Sequence, residues 1–452
     1  MMGEFCTFVR LIKPYMRKLI LLFAVLFVAA CSSSNKDYQK AASNPEFLIR
    51  AEVMLTESVI HDIFAPPVSS RIYMYASIAG YEAAIHGEKG YKSLVGQLNG
   101  FEKVAQPEKG QEYCYPLAST RAFLSVGKKL TFAQELYEEF DKKLEEDYRA
   151  TGIPDDVYER SIALGDSIAE SVMKYASKDN YKQTRGFRFT VTNDPGTWTP
   201  TPPAYMDAVE PYWTKIRPVG LDSSGQFQAP IPSKFDLTPG TPYYKEVMES
   251  YNTVKNLTNE QRDIANFWDC NPFKMNITGH AMFATKKMSP GGHWLGIVGQ
   301  VSRQLKKSHI QVAEAFAMTS MSIFDGFISC WDEKYRSVRI RPETVINNSI
   351  DKKWIPILQT PPFPEYTSGH STISSAAATV LTKLYGDNVA FNDSTEIPYG
   401  LPPRKFTSFT QAADEASISR MYGGIHFRPA LDQGVIQGAK VANQLLAKVK
   451  IK

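Results

Sequence analysis

The sequence predicts an all-α protein, one large helical-bundle domain with long ordered loops. Apolar residues recur at three- and four-residue spacing through most of the chain, which is the helical period. The breaks between these runs carry helix-end signals, with Gly386 closing one run and Pro429 opening another as a first-turn residue. Only residues 192–242 depart from this pattern. That stretch is rich in Pro, Gly, Thr and aromatics, notably Pro195-Gly196-Thr197-Trp198-Thr199-Pro200-Thr201-Pro202-Pro203, and reads as an ordered loop of the kind that is commonly functional.

In chain order the periodicity predicts helices over Phe47–Phe64, Arg71–His86, Ser119–Tyr148, Asp155–Tyr175 and Asn259–Trp268. Four more follow over His309–Lys334, Ser371–Tyr385, Thr410–Tyr422 and Pro429–Lys448. With no internal repeat, a single domain over 45–450 is the economical reading, its active site expected within 260–440.

The chain has 452 residues, of which 43% are hydrophobic and 22% charged, an ordinary balance for a folded protein with a large core. Its formal net charge of +4 and the lack of any Lys/Arg run argue against nucleic acid as a partner. Arg17 and Lys18 precede an apolar run, Leu19 to Ala30, that is short for a membrane span. It ends Val28-Ala29-Ala30-Cys31 and is followed by Ser32-Ser33-Ser34-Asn35, which resembles a bacterial lipobox. The expectation is a signal peptide over 1–30, with Met16 as an alternative start, lipid on Cys31 and a polar tether over 31–44. That would anchor the protein in the cell envelope, on the periplasmic or outer-membrane side. Beyond Cys31, an odd set of cysteines remains (Cys114, Cys270 and Cys330), so no disulfide framework is implied.

Three short strings carry the chemistry. In Lys334-x6-Arg341-Pro342, residues seven apart lie on nearly one helical face, so two cations can aim at one point, and Pro342 disfavours helix at Arg341. Tyr366-Thr367-Ser368-Gly369-His370 stands just before a helix, whose unpaired N–H groups and dipole favour an anion. In Ser419-Arg420-Met421-Tyr422-Gly423-Gly424-Ile425-His426 the glycines break a helix and turn His426 back toward Arg420. Alone, each string reads as a surface cation pair, a capped helix or a loop. All three in this order are on the order of a one-in-ten-thousand accident. Together they collect three cations, a hydroxyl, helix-end donors and two imidazoles, the demands of a tetrahedral oxyanion.

The strings resemble the vanadium-dependent haloperoxidases and the wider type 2 phosphatidic acid phosphatase superfamily, and in spacing look closest to iodide-oxidising bacterial members. The resemblance implies that Lys334, Arg341 and Arg420 neutralise the equatorial oxygens of a vanadate or phosphate, helped by Ser368 and the Gly369 N–H. It implies His370 as the acid–base residue and His426 as the axial metal ligand, or as the nucleophile on phosphorus. Trp331 and Phe363 match aromatics of the family's halide pocket. Similarity extends to Phe267-Trp268-Asp269, Gly291-Gly292-His293-Trp294, Arg71–Ala76 and the 195–203 loop. Two positions depart from the pattern. Thr367 replaces a usual Pro, and Ala430 stands where phosphatases carry an Asp that orients the last His; Asp432 nearby is read as favouring its helix N-terminus.

Three functions stay open at this point. One is a haloperoxidase that uses vanadate, with hydrogen peroxide and iodide or bromide as substrates. Another is an acid phosphatase that hydrolyses phosphomonoesters through a phosphohistidine without a cofactor. The third is a non-catalytic, ligand-capturing surface lipoprotein, which leaves the converging cations unexplained. His293, in an expected Gly-rich turn, is a further candidate to reach the site, whereas His61, His86, His280 and His309 lack metal-binding spacing and read as structural or surface residues.

Overall fold

The computed structural model describes residues 38–272, 274–278 and 280–452, so the expected signal peptide and Cys31 lie outside the described residues. The described residues are mostly helical, with little strand, as the periodicity predicts. Part of the stretch expected as a tether belongs to the fold: residues 38–42 are helical, Tyr38 and Ala42 are buried, and the Tyr38 hydroxyl donates to Glu112 at 2.6 Å. Among the described residues no helix is long and apolar enough to cross a membrane.

The N-terminal half is a bundle built around α2. Its helices are α1 (Glu46–His61), α2 (Pro66–Ala84), α3 (Tyr115–Leu130), α4 (Gln134–Arg149) and α5 (Asp155–Ala176). Every residue of α2 is buried, because it packs on α3 and α5 and on the long helix of the other half. The single helix expected over Ser119–Tyr148 is in fact two. The chain breaks at Thr131 to Ala133, where the Asp62 carboxylate accepts the N–H groups of Phe132 (2.6 Å) and Ala133 (3.3 Å). A carboxylate from outside thus takes up donors that a continuous helix would have used.

Next come α6 (Pro242–Lys255), α7 (Asn259–Phe267) and α8 (Pro290–Gln304). Neither α6 nor α8 was expected from periodicity, and Gly291-Gly292 belongs to a helix rather than a turn. The glycines serve packing there: a Cβ at Gly292 would lie 2.7 Å from the Tyr73 hydroxyl. Between α7 and α8 runs an antiparallel hairpin, β1 (Lys274–Thr278) with β2 (Ala281–Thr285).

The C-terminal half holds α9 (His309–Ser337), α10 (Pro342–Ser349), α11 (Gly369–Tyr385), α12 (Phe409–Tyr422) and α13 (Arg428–Lys448). A short strand pair, β3 (Phe391–Asp393) with β4 (Arg404–Phe406), joins α11 to α12. α11 and α13 touch backbone to backbone. At Gly438 a Cβ would fall 2.0 Å from the Thr372 carbonyl oxygen, and at Gly434 it would fall 2.8 Å from the Ser371 Cβ. Only glycine permits that approach.

The 192–242 segment is ordered, as expected, and it braces the C-terminal half. Trp198 and Trp213 are fully buried, and the Asp325 carboxylate accepts the N–H groups of Val219, Gly220 and Leu221. Trp198 donates its N–H to the Val338 carbonyl at 2.8 Å, and Ile340 donates to the Gly196 carbonyl at 2.9 Å. The loop therefore holds the turn that links Lys334 to Arg341.

Candidate active site

The three strings meet, though not by one helical face. α9 stops at Ser337, Val338 turns with a φ of 45°, and Arg341 is the extended N-cap residue of α10. Lys334 and Arg341 converge because the chain reverses between them. Both are fully buried.

The Lys334 ammonium donates to the carbonyls of Pro364 (2.9 Å), Glu365 (3.1 Å) and Thr367. An ammonium has three N–H donors, so these bonds use them all. These hydrogen bonds fasten the 364–367 loop. Burial pulls the Lys334 pKa down to about 7.

Arg341 donates through Nε to the Phe363 carbonyl (2.8 Å) and through Nη1 to the Ile425 carbonyl (2.8 Å) and His426 Nε2 (3.1 Å). Arg420 places Nη1 3.0 Å from His370 Nε2. Among the described residues no partner satisfies Arg341 Nη2, Arg420 Nε or Arg420 Nη2, although all three atoms are buried. Burial lowers the pKa of both arginines, to about 10 for Arg341.

Ser368 caps α11, its hydroxyl accepting the Ser371 N–H at 3.3 Å and its own N–H donating to the Ala430 carbonyl at 2.9 Å. The N–H groups of Gly369 and His370 open the helix and have no intrahelical acceptor. Gly369 lines the cavity, where a Cβ would make ordinary contact with Trp331 at 3.7 Å.

His426 follows the Gly423-Gly424 break. Gly424 has a φ of 74°, and a Cβ there would lie 2.8 Å from Val254, so the turn needs glycine on both counts. His426 Nδ1 lies 3.0 Å from Glu365 Oε1, which also accepts the Phe427 N–H at 2.9 Å. Because Arg341 can only donate, these partners assign the proton to Nδ1 and the lone pair to Nε2, where it accepts from Arg341 Nη1. Burial first, then Arg341 and Lys334, hold His426 well below the ordinary imidazole pKa. His370 is lowered likewise by burial and then by Arg420. Both rings are therefore neutral.

Glu365 is the site residue that sequence reasoning missed. It does the orienting that an Asp at 430 would do. Ala430 instead packs with Ala229 and Tyr366, and Asp432 is solvent-exposed beyond the first turn of α13, away from His426 and without the helix-end role expected of it. A lone acid two residues before Thr367-Ser368-Gly369-His370 was the available signal.

Trp331 and Phe363 line the cavity with Phe327, His370, Arg420 and His426, and their ring centroids stand 4.9 Å apart. The expected aromatic wall is thus adjacent to the cations. His293 does not line this cavity; it lies behind Cys270 on α8, fully buried. His61, His86, His280 and His309 are not cavity residues either, and His309 is buried with its pKa lowered to about 4 by desolvation.

The donor set fits an oxyanion such as vanadate. Three guanidinium nitrogens without acceptors, the helix-opening amides and the Ser368 hydroxyl offer donors, and an oxyanion supplies the acceptors they lack.

Comparison with known proteins agrees. The family model of the VCPO second helical-bundle domain matches residues 314–451, which contain all three strings. A bacterial vanadium-dependent iodoperoxidase of known structure is 44% identical, covering 90% of this chain and 97% of its own, with a TM-score of 0.84. A bacterial vanadium-dependent chloroperoxidase in its holo form shares the fold, with 15% identity, 86% and 93% coverage and a TM-score of 0.65. No curated protein matches. The fold is that of a vanadium haloperoxidase, an enzyme class that acts on halide and hydrogen peroxide. The chain belongs to the vanadium-dependent haloperoxidase family.

Proposed function

We propose that the cavity binds vanadate and that the protein oxidises iodide, or bromide, with hydrogen peroxide. The observation that carries this is the set of unsatisfied, buried donors on Arg341 and Arg420 around His426, whose Nε2 carries the ring's lone pair. Similarity to an iodoperoxidase supports iodide as the first substrate to try. When bound, vanadate supplies a Lewis-acidic centre that makes peroxide an electrophilic oxidant of halide. Arg341, Arg420, Ser368 and the Gly369 N–H bind its oxygens, while Lys334 adds charge from behind the loop. His426 Nε2 is the ligand, held in its tautomer by Glu365 as carboxylates commonly hold metal-bound histidines. His370 exchanges the proton at the cavity face, and Trp331 with Phe363 keeps water from the halide.

Adding orthovanadate to vanadate-free protein is expected to switch on iodide oxidation by peroxide, with inorganic phosphate competing against activation. A phosphatase would behave oppositely, because vanadate mimics its transition state and abolishes phosphomonoester hydrolysis. Brisk phosphatase turnover without vanadate, and no halide oxidation with it, would overturn the assignment.

We infer further that Cys31 is lipidated and holds the enzyme to the cell envelope. The Val28-Ala29-Ala30-Cys31-Ser32 string supports this. Cys31→Ser is expected to release the protein from membranes or leave it unprocessed, as read by fractionation and mass spectrometry; a processed variant with unchanged membrane association would refute lipidation.

A further inference from the structure

Behind the cavity wall three potential metal ligands from separate parts of the chain point at one spot. His293 Nδ1, on α8, lies 3.5 Å from Cys270 Sγ in the loop after α7 and 3.2 Å from Glu396 Oε1 in the connection between β3 and β4. All three residues are buried, and their ligand atoms lie within 4.8 Å of one another. Around tetrahedral zinc, with metal–ligand bonds of about 2.0–2.3 Å, adjacent nitrogen and sulfur stand about 3.5 Å apart and nitrogen and oxygen about 3.3 Å. The spacing already matches that of a metal site.

The outer groups match as well. His293 Nε2 lies 2.7 Å from Asp393 Oδ2, and Thr395 hydrogen-bonds the same carboxylate, so the ring is fixed with Nδ1 facing inward. A carboxylate on the distal nitrogen is the usual support of a metal-bound histidine. Trp268 stacks on the imidazole at 4.5 Å with an interplanar angle of 18°, which fixes its plane. A hydrogen-bonded network alone accounts for the Nε2–Asp393 contact. At Nδ1 a single position is shared between the Cys270 sulfur and the Glu396 carboxylate, and the three ligand atoms stand at ligand spacing.

We propose that Cys270, His293 and Glu396 form a binding site for a borderline-soft divalent cation of the zinc type, with Asp393 as the positioning residue and water in the fourth position. Thiolate, imidazole and carboxylate in a tetrahedral arrangement select this class over calcium or magnesium, which take oxygen ligands. On binding, the Cys270 thiol and His293 Nδ1 each give up a proton to solvent as the metal–sulfur and metal–nitrogen bonds form. The ion ties the loop after α7 to α8 and to the β3–β4 connection. Cys270 also lines the oxyanion cavity with His370 and Arg420, so the site holds that wall in place. The site is independent of vanadate.

The test is a cobalt(II) titration of the full chain, freed of metal by chelation and of vanadate. The expected result is one tetrahedral cobalt per chain, with a thiolate-to-cobalt charge-transfer band that zinc abolishes by displacement. Cys270→Ser removes the band, while Cys114→Ser and Cys330→Ser keep it. Asp393→Asn weakens cobalt binding by about 10–100-fold, the usual worth of such a partner. A wild-type titration without the band, or a band that survives Cys270→Ser, overturns the proposal without recourse to any variant's stability or to enzymatic activity.

Discussion

In vanadate-loaded protein, His370→Ala lowers the rate of halide oxidation by about 10²–10⁴-fold, the range for a placed acid–base group, and leaves most orthovanadate binding intact. His426→Ala has the complementary signature: orthovanadate binding itself falls below detection by calorimetry, and turnover goes with it. The asymmetry follows from the partners. His426 is gripped on one side by Glu365 and carries its lone pair on Nε2, whereas His370 lies against the Arg420 guanidinium at the cavity face. Both rings are neutral for the same reason, burial among cations, so the roles are set by position rather than by protonation. Equal loss of vanadate affinity in the two variants would show that His370 is a ligand rather than a proton carrier.

Glu365→Ala destabilises the protein by about 3–5 kcal/mol, the cost of breaking a buried ionic cluster by removing one member. The carboxylate lies 3.5 Å from the buried Arg339 guanidinium and also offsets Arg341 and Lys334 at longer range. Burial raises its own pKa, and those three cations pull it back down. Removing it leaves three buried cations facing one another with less to balance them, and it frees the Phe427 N–H and the His426 ring. Glu365→Gln keeps an acceptor for both and is expected to fold, with weaker vanadate binding because His426 is oriented less firmly. Urea denaturation reads the difference. A change below about 1 kcal/mol in the alanine variant would mean that Glu246, which also pairs with Arg339, carries that arginine alone.

The oxyanion site was legible because its chemistry sits at helix ends, where sequence signals are strongest. Ser368 before α11, the Gly423-Gly424 break and Pro342 after Arg341 are local features, and each positions its neighbour as local rules require. What escaped was set by tertiary contact. Nothing near Thr131 announces a break, because the group responsible, Asp62, arrives from another helix. Gly291 and Gly292 read as a turn because their role, making room for Tyr73, is visible only in the packed structure. The three carbonyls that take up the Lys334 hydrogens were not legible, because the 364–367 loop reaches the ammonium only in the fold. Cys270, His293 and Glu396 are far apart in sequence and lack any spacing motif, so only the fold brings them together.

The glycine seam between α11 and α13 also sets an order of events during synthesis. Ser368 is anchored by the Ala430 carbonyl, and α11 is seated by Gly434 and Gly438, all of which emerge from the ribosome after the residues they hold. A nascent chain that has displayed Lys334, Arg341 and Ser368 therefore still lacks a competent anion cage, and the N-terminal bundle is complete long before there is anything to activate. The oxidising chemistry thus stays silent until the last helix has docked.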